Sequence, residues 1–315
     1  MDIIRDLGIK EIVLPLGLAY LIIMLYFRIA KKYSIIDKPN ERSSHLEPTI
    51  RGAGIIFPIM YILVGLRELT FLSDSFVLIG VFIVAAVSFI DDIKPLPNRV
   101  RIVAHLVSVL LVLWQQNLFE SHVGIAVLVL VLFIGILNAY NFMDGINGIT
   151  GVYSLVLAST VFYITEDVKM IWLICGLLVF SYFNFRRRAL CFSGDVGAIA
   201  LAFIFCTSIL GLILSDEHWE WIFLLGIYGI DSVVTILVRL YKKENIFKAH
   251  RSHLYQLLSN ELKIPQLRVS ALYGLLQLVL NVVLINFMED APEIIYASFG
   301  VIFLLYVIVR RRIID

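Results

Sequence analysis

Charge is what this chain has least of. Only 16% of its 315 residues are Asp, Glu, Lys or Arg, and 60% are hydrophobic. An ordinary soluble domain is about a quarter charged and about 45–50% apolar. The mean hydropathy is +0.91, which excludes a typical water-soluble fold. Long polar linkers and internal repeats are also missing, so one domain over residues 1–315 is expected. Cysteine is scarce. Cys175, Cys191 and Cys206 lie in or beside apolar runs without metal-ligand spacing, which argues for packing rather than a Cys-bound metal. The opening MDIIRDLGIKE lacks the basic segment and small-residue cleavage site of a signal peptide. The first apolar run is therefore expected to persist as a helix.

The missing charge is replaced by apolar runs close to the length that spans the roughly 30 Å hydrocarbon core as helix. Eleven candidate spans are read at 11–30, 52–66, 76–93, 100–116, 122–140, 146–164, 169–185, 196–214, 219–238, 271–287 and 292–309. The expected fold is an all-α polytopic integral membrane protein with about 11 (10–11) transmembrane helices. The second span, GAGIIFPIMYILVGL, is short enough to be a re-entrant piece, and the fifth runs into an Asn-rich stretch.

Basic residues set the expected orientation. Of the 26 Lys and Arg, only Arg5, Lys10, Arg67 and Lys169 fall on one side if the spans alternate. The other 22 lie in 28–51, 91–101, 186–196, 239–270 and the C-terminal RRR. The positive-inside rule places that set in the cytoplasm. The N-terminus is then outside and the C-terminus inside.

The same side collects the polar residues. The span ending SFIDDIK leaves Asp91 and Asp92 at a helix C-terminus, where the dipole opposes them. A solvated helix end is the plain alternative. Near hydrocarbon, such acids call for compensation by Lys94, Arg99, Arg101 or a metal. In NAYNFMDGING, Asn138, Asn141, Asp144 and Asn147 recur every three residues, and glycines suggest a break after them. A tight turn explains the Asp-Gly and Asn-Gly pairs but not the two amides inside the apolar approach. In CFSGDVGA, Asp195 stands between glycines at the mouth of a span, where an N-cap is the simple role and metal binding is compatible with it. In AHRSHLYQ, His250, Arg251 and His253 form a cationic cluster suited to a polyanion such as a pyrophosphate, or else a solvated basic loop. Hard oxygen ligands, amides and cations on one membrane face suit Mg²⁺ and phosphoryl transfer.

Five segments in order, DKPNERSSHLEPTIRGAG (37–54), DDIKPLPNRVR (91–101), NAYNFMDGING (138–148), FNFRRRALCFSGDVGA (183–198) and AHRSHLYQ (249–256), carry a resemblance over nearly the whole chain. It resembles the polyprenyl-phosphate N-acetylhexosamine-1-phosphate transferases, and HRSHLYQ looks most like the bacterial branch that initiates surface polysaccharides such as O-antigen. The resemblance implies an enzyme that moves a HexNAc-1-phosphate, first GlcNAc-1-phosphate, from a UDP-N-acetylhexosamine to undecaprenyl phosphate and releases UMP. It implies Mg²⁺, with Mn²⁺ as the alternative, and a multi-pass protein of the bacterial inner membrane with its site on the cytoplasmic side. No nucleic acid is expected as partner, and a homodimer is left open.

By motif position, the resemblance implies that Asp195 and Asn141 hold the metal. Asp91 and Asp92 would deprotonate the acceptor phosphate or support the metal, and Asp144 is grouped with them as catalytic. Arg101 would lie near the phosphates and Asn147 near the uracil. His250, Arg251 and His253 would hold the diphosphate, and Arg51 and His45 are further candidates for substrate binding. Asp231 also matches and is read as structural, holding the loop that follows. This chain departs from the family's pattern at Asn147, where Asp is common, at Ala198, and in PTIRGAG around Arg51. A transporter or lipid flippase is the alternative function, against which stand span centres almost free of charge and no inverted repeat. A CDP-alcohol phosphotransferase fits poorly, because DGINGITG lacks the Arg and later acids that class needs.

Overall fold

The computed structural model describes residues 8–37, 47–67, 75–121, 123–245 and 251–314. Each apolar run forms helix. In chain order these are α1 (Ile9–Lys32), α2 (Ile56–Arg67, entered through a 3-10 turn at Ala53–Ile55), α3 (Ser75–Ile93), α4 (Asn98–Gln115), α5 (Val123–Met143) and α6 (Ile149–Thr165). They continue as α7 (Val168–Asn184), α8 (Gly194–Asp216), α9 (Gly226–Tyr241, preceded by a 3-10 stretch, Trp219–Leu225), α10 (Gln266–Phe287) and α11 (Pro292–Ile314). Eight of these segments are long and apolar enough to cross a membrane, and the segments at Ala53–Arg67, Ile149–Thr165 and Val168–Asn184 are shorter. The chain is an all-α, multi-pass membrane protein. The short second span is present as the helix Ala53–Arg67, and the fifth ends at Met143, so Asn138 and Asn141 lie inside it.

α8 is the innermost helix. Its apolar window is 83% buried within the protein, against 11% for α11. α3 and α5 pack along it. Between apolar helices in lipid there is little hydrophobic drive, so association relies on close packing and small residues at the contact. Backbone meets backbone most closely at Gly54, where an added Cβ would stand 2.4 Å from the Cα of Gly197. That contact presses the turn before α2 against the first turn of α8.

α6, α9 and α10 are joined by a closed set of uncharged polar groups. Gln277, fully buried, accepts from the Tyr153 hydroxyl at 2.8 Å and from Ile227 N–H at 3.0 Å. Its Nε2 donates to the Phe223 carbonyl and to Asn281 Oδ1, and the Asn281 amide in turn donates to Thr160. Amides in hydrocarbon persist only when partnered in this way.

The two described strands are short. β1 (Ile36–Asp37) pairs antiparallel with β2 (Thr49–Ile50), and Ile50 also bridges Cys191 in parallel. Ala53 and Gly54 then donate to the carbonyls of Phe192 and Ser193. These bonds dock the segment before α2 on the segment before α8. All three cysteines are free and buried, as packing requires. The C-terminal ends of α3, α5 and α7 and the N-terminal ends of α2, α4, α6 and α8 meet at this one end of the bundle, linked by the contacts described below.

Gly54→Ala therefore forces backbone apart, at a cost of about 1–3 kcal/mol for overpacking. Thermal unfolding of the purified protein in detergent should shift clearly downward. Gly211→Ala, on α8 where an added Cβ meets nothing within 4 Å, should leave it unchanged.

Candidate active site

The twin acids that end α3 have different jobs. Asp92 has no exposed side-chain surface and sits at the N-terminus of α8. Its Oδ1 accepts from Asp195 N–H at 3.0 Å and its Oδ2 from Val196 N–H at 3.1 Å. First-turn amides of a helix have no partner inside it, and the dipole there favours an anion. An acid badly placed at the end of its own helix is thus well placed at the start of another. The close fit needs Gly194, which has φ +72° and a Cβ position 2.4 Å from Asp92 Oδ2. Asp195 is therefore not the cap of α8. It is the second helical residue, and the capping carboxylate comes from α3.

Two arginines tie the acids together. Arg51 donates from Nε to Asp92 Oδ1 at 2.7 Å and from Nη2 to Asp195 Oδ1 at 3.0 Å. Arg101 donates from Nη1 to Asp91 Oδ2 at 2.9 Å and lies 3.6 Å from Asp195 Oδ2. Burial opposes the charge on Arg51, yet Asp92, Asp195 and Asp37 hold its pKa above the ordinary value. Of the cations expected to compensate the twin acids, Arg101 does so for Asp91. Asp92 is compensated by Arg51 instead, whose backbone carbonyl is held by the Tyr26 hydroxyl. Lys94 and Arg99 form no ion pair among the described residues.

Exposure separates the three acids. The Asp92 side chain is sealed and Asp91 is 8% exposed, while Asp195 is 18% exposed between guanidinium groups that are themselves a third open. Asp195 is the most open of the three to a ligand. Three carboxylates face two guanidiniums, so the cluster is left with an excess of negative charge when all are ionised.

The loop between α5 and α6 closes one side. Asp144 accepts from Thr150 at 2.6 Å and from Ser193, directly before Gly194. Burial pushes its pKa up, and the two hydroxyl donors work against that rise. Asn138 turns back on its own helix, donating to the Ile134 carbonyl. Asn141 is half-buried one turn before Asp144 and makes no side-chain hydrogen bond among the described residues. Asn147 acts as a clamp: its Nδ2 donates to the carbonyls of Arg186 and Arg187, while its backbone bonds Gln266 and Ser270 of α10. Its amide donors are engaged in holding the 186–188 turn. Asn184, which sequence reasoning passed over, accepts from Gly148 N–H and donates to the Cys191 carbonyl, both at 2.8 Å. Only its place at the end of an apolar run hinted at this.

The basic loop after α9 reaches the same region. His253 is buried with Nδ1 3.1 Å from Asp231 Oδ1, and the Tyr255 hydroxyl donates to the Phe142 carbonyl at 2.8 Å. Asp231 also accepts from Leu254 and Tyr255 N–H, so it does hold the following loop. Arg251 is half-buried beside it. His45 and His250 lie outside the described residues. A cavity of about 750 Å³ opens at the opposite end of the bundle, rimmed by Glu166, Asp216, His218 and Glu289, and takes in none of the motif residues.

Among the described residues no three His, Cys, Asp or Glu side chains form a ready-made metal cage. A Mg²⁺ ion does not require one, since it is commonly held by one or two carboxylates with waters and substrate phosphates. Asp195, with a spare lone pair on each oxygen, and the amide of Asn141 fit that demand. With all three acids ionised, the excess negative charge of the cluster fits it as well.

A multi-pass α-helical membrane protein with a charged cluster built where its helix ends meet is the class that fold and site define. Comparison with known proteins shows what this chain is similar to. Residues 75–213, from the start of α3 to the last turn of α8, match the model of glycosyl transferase family 4. The chain is 25% identical over 253 residues to a probable undecaprenyl-phosphate N-acetylglucosaminyl 1-phosphate transferase of Bacillus subtilis, covering 72% of this chain and 70% of that one. It is 26% identical over 264 residues to a phospho-N-acetylmuramoyl-pentapeptide-transferase of Dictyoglomus turgidum, covering 72% and 82%. A Thermotoga maritima undecaprenyl-phosphate alpha-N-acetylglucosaminyl 1-phosphate transferase is 24% identical over 241 residues, covering 74% and 76%.

If Asp92 is the cap of α8, Asp92→Asn leaves Arg51 short of a charge partner and presents an amide to the helix N–H groups. The loss should be about 3–5 kcal/mol, as for breaking a buried pair. Thermal unfolding in detergent checks this, and an unchanged midpoint would show that the carboxylate is not structural.

Proposed function

We propose that the chain is a UDP-N-acetylhexosamine:polyprenyl-phosphate N-acetylhexosamine-1-phosphate transferase. The observation that carries the reading is Asp195, a reachable carboxylate at a helix N-terminus with an arginine on either side. Relatives named for acting on undecaprenyl phosphate share the segment that bears it. Their names support a lipid phosphate acceptor and a sugar-phosphate donor, and favour phosphotransfer over transport.

In the proposed reaction a phosphate oxygen of the polyprenyl phosphate attacks the sugar-proximal phosphorus of the UDP-sugar. A new phosphoanhydride bond forms, the bond to UMP breaks, and UMP leaves with the electron pair. The sugar–oxygen bond is untouched. Mg²⁺, held by Asp195 and Asn141, would neutralise phosphate charge. Arg51 and Arg101 stand beside Asp195 to receive phosphate oxygens, their guanidinium forks matching that geometry. Asp91 is held by the Leu96 amide on one oxygen and by Arg101 on the other, but unlike Asp92 it keeps some exposure, so it is the better candidate of the twin acids to manage the acceptor's proton. Asp92 maintains the frame. Arg251 supplies positive charge for the diphosphate, and His253 stands in the same loop. Asp144 positions Ser193 and thereby the start of α8.

The basic end of the bundle is the end that bears this site, which supports a cytoplasmic active face in the inner membrane. GlcNAc is the preferred sugar, in line with two of the relatives' names.

Purified protein with undecaprenyl phosphate, Mg²⁺ and a panel of UDP-N-acetylhexosamines should release UMP, needing both lipid and metal. EDTA should stop the reaction and added Mg²⁺ restore it. Asp195→Asn should lower UMP release by about a thousandfold, the scale seen when one preorganised electrostatic contact is removed, with thermal unfolding little changed. Near-normal turnover in that variant would remove Asp195 from the site.

A further inference from the structure

Asp231 is the most heavily bonded side chain of the described residues, and its donors come from four segments. Its Oδ1 accepts from Thr235 of α9 at 3.3 Å, His253 Nδ1 at 3.1 Å, Leu254 N–H at 3.0 Å and the Tyr306 hydroxyl of α11 at 3.0 Å. Its Oδ2 accepts from Tyr255 N–H at 3.3 Å and the Tyr273 hydroxyl of α10 at 2.6 Å. The loop 253–255 therefore hangs on one carboxylate, and α10 and α11 reach that same carboxylate through a tyrosine each.

Behind Tyr306 stands Arg310, one helical turn on. It is 3% exposed and makes no direct ion pair among the described residues. Its Nη1 donates to the Tyr306 hydroxyl and to Thr235 Oγ1, both at 3.1 Å. A guanidinium can only donate. Both hydroxyl oxygens therefore accept from Arg310 and turn their own protons to Asp231 Oδ1. The two hydroxyls relay the positive charge of Arg310 to a fully buried carboxylate, which needs such compensation in a medium of low dielectric. Arg310 opens the C-terminal RRR, yet unlike the exposed Arg311 and Arg312 it faces inward. Its role goes beyond setting topology.

We propose that α11, through Tyr306 and Arg310, is a positioning element for the loop that carries Arg251 and His253. Neither residue touches the proposed substrates. They fix the charge and hydrogen-bond balance of Asp231, which sets the rotamer of the His253 ring and orders the backbone at 254–255. The consequence for donor binding rests on the reading that this loop holds the diphosphate, whereas the ordering of the loop does not.

The test uses the full chain in nanodiscs, with Tyr306→Phe and Arg310→Met as variants, Arg310→Lys as the charge-keeping rescue and Arg311→Gln as the control. Two readouts are taken: backbone hydrogen exchange by peptide, and steady-state UMP release. In Tyr306→Phe and Arg310→Met, amides at 251–258 should exchange about tenfold faster, the scale of one hydrogen bond to a charged group, while α9 and α10 keep their protection. KM for the UDP-sugar should rise about three- to tenfold with kcat within about twofold. Arg310→Lys should recover part of both, and Arg311→Gln should match the wild type. Unchanged exchange at 251–258 would overturn the proposal. So would loosening spread evenly over α9, α10 and α11 with KM unmoved, since that describes mere packing. A loop that loosens in a protein whose wild type releases no UMP would uphold the positioning role and fell the transferase reading instead.

Discussion

One buried carboxylate organises the site end of this bundle. Asp92 is taken out of water, so both of its oxygens must find donors within the protein. Two amides of α8 and the Nε of Arg51 supply them. Those three bonds join the end of α3, the start of α8 and the strand-like segment before α2. Once Arg51 is anchored through Nε, its Nη2 is carried to Asp195. The geometry of the reachable acid thus depends on the sealed one.

The acids of the site show how environment divides labour among identical side chains. Asp92 and Asp231 are enclosed, and each gathers donors from separate helices. Asp91 is pinned at the edge by Arg101 and a backbone amide. Asp144 is capped by two hydroxyls and fixes Ser193. Asp195 alone combines partial exposure with flanking cations. Residues 142–144 lie between the two hubs: Tyr255, beside Asp231, bonds the Phe142 carbonyl, and Asp144 bonds Ser193 at the start of α8. A charged site next to hydrocarbon needs such a frame, since loose ionised groups there would be driven toward water or neutralised. On the proposed function, the frame also explains why the acids stand at helix ends: the acceptor lies in lipid and the donor arrives from water.

The apolar architecture was open to reading from residues alone. Run length against bilayer thickness marked eleven segments, and each is a helix, because in lipid a backbone has few other ways to satisfy itself. The polar residues that matter were also legible as a set, since charge in so apolar a chain stands out. Arg51, Asp91, Asp92, Arg101 and Asp195 do come together, and Asp231 does hold its loop. Their individual roles were harder to read. Asp195 was expected to cap its own helix, and nothing in the sequence indicated that the Asn147 amide nitrogen grips the 186–188 turn.

What the amino-acid sequence determined by itself was fold class, the number of apolar helices and the list of residues worth watching, because hydropathy and charge are local properties that accumulate along the chain. What only the tertiary structure decided was pairing and access. Arg51 stands 41 positions from Asp92 and 144 from Asp195, and Tyr306 stands 75 from Asp231. Neither distance in sequence nor residue type says which guanidinium meets which carboxylate, or which oxygen stays open. Those are settled by helix packing, through contacts such as Gly54 against Gly197, where backbone meets backbone and leaves the side chains no other arrangement.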